Sequence, residues 1–391
     1  MILADKVIQV LAEETGGRSY KAHKYGLDHA ERPVIDYSED SVVWEKIAET
    51  SLNLPKYIPL EKLSIDLAER GEQYLTYFLD GSRRVYKVDD HSYAVSRDRS
   101  KIFPIIAGQI GVGCCKRVDR IVTPQQFHGE VVISVPDIAN ADDKAGFFEG
   151  MAIKLSKLPV IQRSGIKINS VIPYDTSGKK SDKFEDRGTA RIQDRMVQCE
   201  KDMVTELVKK RLLNSRNYLI KDGSLEYRPT DDIKKDVRKL STFKNGFNYV
   251  LGVSKNFNPE VCKDINGKAN PGYISELPLY HRTPVACYSN PDWFGDIKFA
   301  VWYIRLREQS RTRTTFDGIV KVEKILGTQE ENSKGIDSDL VNMLSALIIN
   351  ERNPVCYGAD LRWANHLYPV YLTETYIKSK YLSAESFLHL F

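Results

Sequence analysis

Tyr74-Leu75-Thr76-Tyr77-Phe78-Leu79-Asp80-Gly81-Ser82-Arg83-Arg84 is the stretch on which the fold depends. Residues 74–79 have the aromatic and aliphatic content of a strand, and the Asp-Gly-Ser after them reads as the turn that ends it. Two more strands are expected behind it, one at 84–88 or 93–95 and one at 102–114, so an antiparallel meander begins here. Working outward, 131–135 reads as a further strand. Residues 192–213 form a long helix in which Met196, Cys199, Met203, Val204 and Leu207 recur at helical spacing without Pro or Gly. Tyr218-Leu219-Ile220-Lys221 is a short strand that leads into Asp222-Gly223-Ser224-Leu225, a second copy of Asp-Gly-Ser. Strands at 250–253 and 300–306 and an amphipathic helix at 340–350 complete an α/β pattern.

The 391 residues exceed a common domain size, yet large α/β folds accept long insertions, so one elaborated domain over 71–391 is expected. Residues 1–70, broken by Pro33, Pro55 and Pro59, read as a helical arm, and 177–186 as a polar, lysine-rich loop. A composition of 42% hydrophobic and 28% charged residues suits a large soluble core. The net charge of +4 is too small to diagnose nucleic-acid binding, so any basic surface must be local. None of the six cysteines is paired at C-x-x-C spacing, and none of the seven histidines at the i, i+4 spacing of a helical zinc motif. With no charged leader ahead of an apolar run and no window of roughly 20 apolar residues, a cytoplasmic protein without membrane contact is expected.

Asp80 and Asp222 each follow an apolar strand and precede Gly-Ser, at the strand edge where open α/β sheets bind ligands. Two readings stand side by side: Asp-Gly as a turn dipeptide, and a pair of hard oxygen ligands of the kind that phosphodiester hydrolysis with two metal ions requires. The long helix offers a third carboxylate. At about 100° per residue, Glu200 projects between Met203 and Val204 inside the buried stripe, whereas Glu206 lies at its edge. A carboxylate in that row needs a partner, either a metal ion shared with the aspartates or an arginine.

The order of these motifs resembles the NurA nuclease family. The residues concerned are Leu79-Asp80-Gly81-Ser82-Arg83, Glu200 on its helix, Asp222-Gly223-Ser224-Leu225, Val250-Leu251-Gly252-Val253-Ser254-Lys255 and Tyr368-Pro369-Val370-Tyr371-Leu372. The resemblance spans about 74–380 and implies an RNase H-like mixed sheet flanked by helices, with the stretch 129–183 an insertion relative to the family pattern. It implies Mn²⁺ or Mg²⁺ on Asp80, Glu200 and Asp222, with Tyr368 beside the active site and Lys255 facing phosphate. It also implies a homodimer cleaving DNA with a hexameric HerA-type ATPase, in DNA-end processing, repair or antiviral (anti-phage) defence. The rival is a non-catalytic DNA-binding adaptor of such a motor. One departure bears on that choice: the family has a histidine eight residues beyond the Tyr of Tyr-Pro, where this chain has Tyr376, with Glu374 and His366 nearby.

Arg83 and Arg84 follow the first Asp-Gly-Ser and read either as a phosphate clamp or as a solvated hairpin. Arg305, Arg307, Arg311 and Arg313 read either as one side of a DNA groove or as a charged edge. Gly108-x-x-Gly111-x-Gly113 lacks the Lys-Ser or Lys-Thr of a phosphate loop and is expected to be strand.

Overall fold

In the computed structural model, the stretch around Asp80 is the middle of one 22-residue strand, β1 (Leu75–Ser96). The structure describes residues 7–20, 25–27, 43–45, 48–51, 53–177, 183–225, 236–259, 262–289, 296–312, 315–354 and 363–391. The first Asp-Gly-Ser is therefore not a strand end: the ladder continues through Asp80↔Gly113, Gly81↔Val112 and Ser82↔Gly111. Residues 84–88 and 93–95 are later parts of the same strand. Buried Val85, Tyr86, Val88 and Tyr93 supply the apolar pairing that carries β1 past the turn-prone dipeptide.

β1 pairs antiparallel with β2 (Arg99–Val118), which pairs antiparallel with β3 (Ile121–Pro136). The two-residue turn between β2 and β3 begins at Asp119, whose φ of 55° is the left-handed geometry such hairpins favour. β4 (Ile168–Tyr174) lies parallel to β3, so the region 129–183 contributes a sheet strand as well as the helix α3 (Phe147–Ser156). On the other side of β1, β5 (Tyr218–Asp222) and β6 (Val250–Ser254) run parallel to it in succession. An antiparallel set then extends the sheet: β9 (Ile319–Ile325) against β6, β8 (Lys298–Arg305) against β9, and β7 (Ala286–Ser289) against β8. The segment before residue 71 joins this body. Arg18–Tyr20 and Tyr25–Gly26 pair with β1 beside α1 (Val7–Thr15), and α2 (Glu61–Arg70) packs on α6 (Ser338–Asn350).

Helices cover both faces of this mixed sheet. The long helix α4 (Phe184–Lys209) buries Ile192, Met196, Cys199 and Met203 against Tyr77, Leu79 and Val112. It starts earlier than 192 and stops short of 213; of the polar loop expected before it, 178–182 lie outside the described residues. A shorter helix, α5 (Val237–Gly246), precedes β6. The opposite face buries Phe78 and Ile220 against Leu347 of α6 and Val370 of α7 (Tyr368–Lys378). Strand alternation thus assigns odd and even positions of β1 to different helices.

Candidate active site

Asp80 projects from the α7 face of β1, two residues on from Phe78. Its partner across the ladder is Gly113, and a Cβ there would lie 2.7 Å from Ile377 of α7; at Gly111 it would lie 2.6 Å from the same side chain. The glycines at 111 and 113 are bare so that α7 can settle on β2 beside Asp80, and Gly108 lies under Ile192 of α4, which explains the three glycines without any phosphate. Asp222 stands on the same face at the end of β5, two residues beyond Ile220. Lys255, two residues past the Val253 that pairs with Asp222, donates from Nζ to Asp222 Oδ2 at 2.8 Å. The backbone carbonyl of Lys255 accepts from Asn365 Nδ2 at 2.7 Å, which ties this corner to the turn before α7.

The two aspartates differ in access. Asp80 is 5% exposed, while the Asp222 side chain retains 20%, so an entering ligand meets Asp222 first. Burial and the neighbouring Asp222 charge push the Asp80 carboxyl well above the usual carboxylate range, Lys255 opposes that, and Glu374 and Glu200 add to it. Burial pushes the Lys255 ammonium down, but the charges of Asp222 and Asp80 outweigh this and hold it above its ordinary value. Glu374, on α7, acts on both groups and is a member of the cluster whose place the sequence left open. Only the glycines that bring α7 down onto β2 offered a signal for it.

Glu200 comes to β1 from the α4 side. A Cβ on Gly81 would lie 2.2 Å from Glu200 Oε1, so the glycine of Asp-Gly-Ser is what lets this carboxylate come alongside the residue after Asp80. Glu200 is 3% exposed, and its Oε2 is 3.1 Å from the Lys221 ammonium, which also donates to the Ser224 carbonyl at 3.1 Å. One partner is thus a lysine of β5, which the sequence did not suggest. Glu206 is half exposed and bonds to Gln126 and Lys210. Asp80, Asp222 and Glu374 lie on the α7 side of the sheet and Glu200 on the α4 side, four carboxylates with Lys255, Lys221 and Lys378 as ammonium partners, and oxygen ligands of this kind suit a hard divalent cation.

The remaining residues are placed as follows. Tyr368 opens α7 and is 44% exposed. Arg83 donates to Gln193 of α4 at 2.7 Å, and Arg84 stacks on Tyr381 while donating to the Leu382 carbonyl. Tyr376 packs edge-on against Phe127, with Lys380 over its ring, and His366 is buried with its ring against Tyr371. The arginine row does not form one surface: Arg305 is buried and donates to the Ser275 and Leu277 carbonyls, Arg307 stacks on Trp363, Arg311 is exposed, and Arg313 lies outside the described residues.

A second polar cluster joins β3 to α4, where His128, Glu130 and Cys199 place ligand-type atoms within 4.8 Å of one another. Arg195 holds Glu130 with Nε at 2.8 Å and Nη2 at 2.5 Å, and His128 Nε2 is 2.7 Å from the same carboxylate. That carboxylate is already neutralised by a forked guanidinium, so the cluster closes as an ion-pair network.

No family model matches the chain, and no curated protein sequence matches it. Among solved structures, it is similar to the crystal structure of the NurA nuclease from Sulfolobus solfataricus, at 11% identity and a TM-score of 0.42, over 85% of this chain and 92% of that chain.

Proposed function

We propose that the chain is a NurA-type nuclease that hydrolyses DNA phosphodiester bonds with Mn²⁺ or Mg²⁺, on a sheet we read as an RNase H-like core. The observation behind this reading is that two separate Asp-Gly-Ser copies meet where the β1–β3 meander joins parallel β5, with Glu374 and Glu200 brought in from opposite helices. Asp80, Glu200 and Asp222 are the proposed ligands, and Glu374 is the fourth carboxylate. A bound divalent ion supplies charge for the oxygens that become anionic as the phosphodiester breaks. The protein supplies the rest. Lys255 holds Asp222 until substrate phosphate competes for the ammonium, Tyr368 lines the mouth, and Arg83 on the α4 face and Arg84 on the opposite face of β1 are the proposed contacts to the DNA backbone.

The same reading includes a homodimer, a cytoplasmic setting and a hexameric HerA-type ATPase that feeds DNA, in end processing or anti-phage defence. Among the described residues no helix is long and apolar enough to cross a membrane. A non-catalytic adaptor remains the rival, favoured by Tyr376, whose ring is engaged in packing where the family carries histidine. One assay separates them: incubation of circular single-stranded and linear duplex DNA with Mn²⁺ or chelator, with and without the ATPase. Metal-dependent cleavage supports the nuclease. DNA binding without cleavage under every condition favours the adaptor.

A further inference from the structure

Glu323 sits in the middle of β9, fully buried, directly across the ladder from Gly252 of β6. Its Oε2 accepts from the Ser224 hydroxyl at 2.7 Å and from the Leu225 backbone N–H at 2.7 Å, and its Oε1 pairs with Lys321. Both donors belong to the turn that follows Asp222. That turn folds back over Gly252, where a Cβ would lie 2.7 Å from Leu225 Cγ and 2.9 Å from the Gly223 carbonyl. Gly223 takes φ 86° and donates to the Val253 carbonyl at 2.9 Å. The Ser224 carbonyl in turn receives Lys221, the partner of Glu200.

A buried carboxylate is costly unless its oxygens are partnered, and here the turn supplies both hydrogen bonds to Oε2 while the Lys321 ammonium pairs with Oε1. The turn is therefore locked from both sides: its hydroxyl and amide by Glu323, its carbonyl by Lys221. We infer that Glu323 is a positioning residue, which fixes the Asp222-Gly223-Ser224-Leu225 turn so that Asp222 and, through Lys221, Glu200 are presented to the metal ion. The inference rests on the reading of Asp222 and Glu200 as metal ligands. Outer partners of this type govern metal affinity and rate without touching substrate.

The test measures Mn²⁺ binding by calorimetry, the thermal midpoint, and kcat and KM for DNA cleavage, in wild type, Glu323→Ala, Glu323→Gln and Ser224→Ala. Glu323→Ala is expected to weaken Mn²⁺ binding and lower kcat by about tenfold or more with KM for DNA unchanged. Glu323→Gln keeps an acceptor for Ser224 and Leu225 and is expected to stay within about threefold of wild type, with Ser224→Ala between the two. Rescue by Gln is the signature that mere loss of stability does not produce. Wild-type Mn²⁺ affinity in folded Glu323→Ala overturns the inference; if that variant does not fold, wild-type affinity in Ser224→Ala does so. Absence of Mn²⁺ binding by the wild-type protein overturns the metal reading itself.

Discussion

At the residue scale, the candidate site is a place where like charges are held together against their own repulsion. Asp80 is buried beside Asp222, with Glu374 and Glu200 adding to a field that Lys255 only partly offsets. Such an arrangement costs stability, which is the usual sign of a site shaped for a ligand. We therefore expect Asp80→Asn and Asp222→Asn to reduce cleavage by at least about a hundredfold. Asp80→Asn should also raise the thermal midpoint of the metal-free protein, because it removes a buried charge from a repulsive cluster. Melting curves with chelator, paired with cleavage assays, check both; a metal-free midpoint lowered by Asp80→Asn contradicts the electrostatic account. Glu130 shows the opposite balance. Burial pushes its carboxyl up, but Arg195 and His128 outweigh this and hold it below the usual range. A carboxyl lowered in the folded state stabilises above its unfolded pKa, about 4.3, and loses that contribution as pH falls through the folded value. Glu130→Gln should thus cost about 2 kcal/mol at neutral pH, and its deficit relative to wild type should shrink steadily below about pH 4. A deficit independent of pH would show that the ion pair is not its source.

At the element scale, glycines set how closely helices approach the sheet. Gly111 and Gly113 leave β2 bare under Ile377 of α7, and Gly81 leaves β1 bare under Glu200 of α4. Gly113→Ala must push α7 outward or force Ile377 off its rotamer, at a cost of about 1–3 kcal/mol. Because α7 also bears Glu374, this substitution should lower cleavage more than an equally destabilising change far from the site. A suitable control is Gly17→Ala, beside α1 and away from both α4 and α7, where a Cβ would lie 3.0 Å from the Tyr93 ring. Equal activity in the two variants at equal thermal loss would remove α7 from the catalytic arrangement. The elements themselves were largely legible beforehand. The strand at Tyr218, the β6 strand and the helix at Ser338 stand within two residues of the expected bounds, and the long helix overlaps its expected span but starts at Phe184 and ends at Lys209. The first Asp-Gly-Ser was misread as a strand end because local turn propensity competes with ladder pairing, and pairing with β2 through Gly113 won.

At the scale of the whole molecule, three apolar clusters among the described residues hold the sheet, two of them on opposite faces around α4 and α6–α7 and a third joining α1, α3 and the C-terminal Phe387, Leu390 and Phe391. A core of this extent does not depend on an ion for folding. Chelator should abolish cleavage while leaving a cooperative melting transition, and added Mn²⁺ should raise the midpoint by binding the native state alone. Loss of the transition on chelation would instead make the metal structural. Local periodicity and residue chemistry were enough for the α/β class and the inward phase of Glu200, and they singled out the two Asp-Gly-Ser carboxylates as candidates. Tertiary structure alone decided that Lys255 grips Asp222, that Lys221 partners Glu200, that Glu374 joins the cluster and that Glu323 clamps the turn. Each of those depends on which strands and helices become neighbours. That is set by burial of side chains far apart in the chain, and no window of sequence contains it.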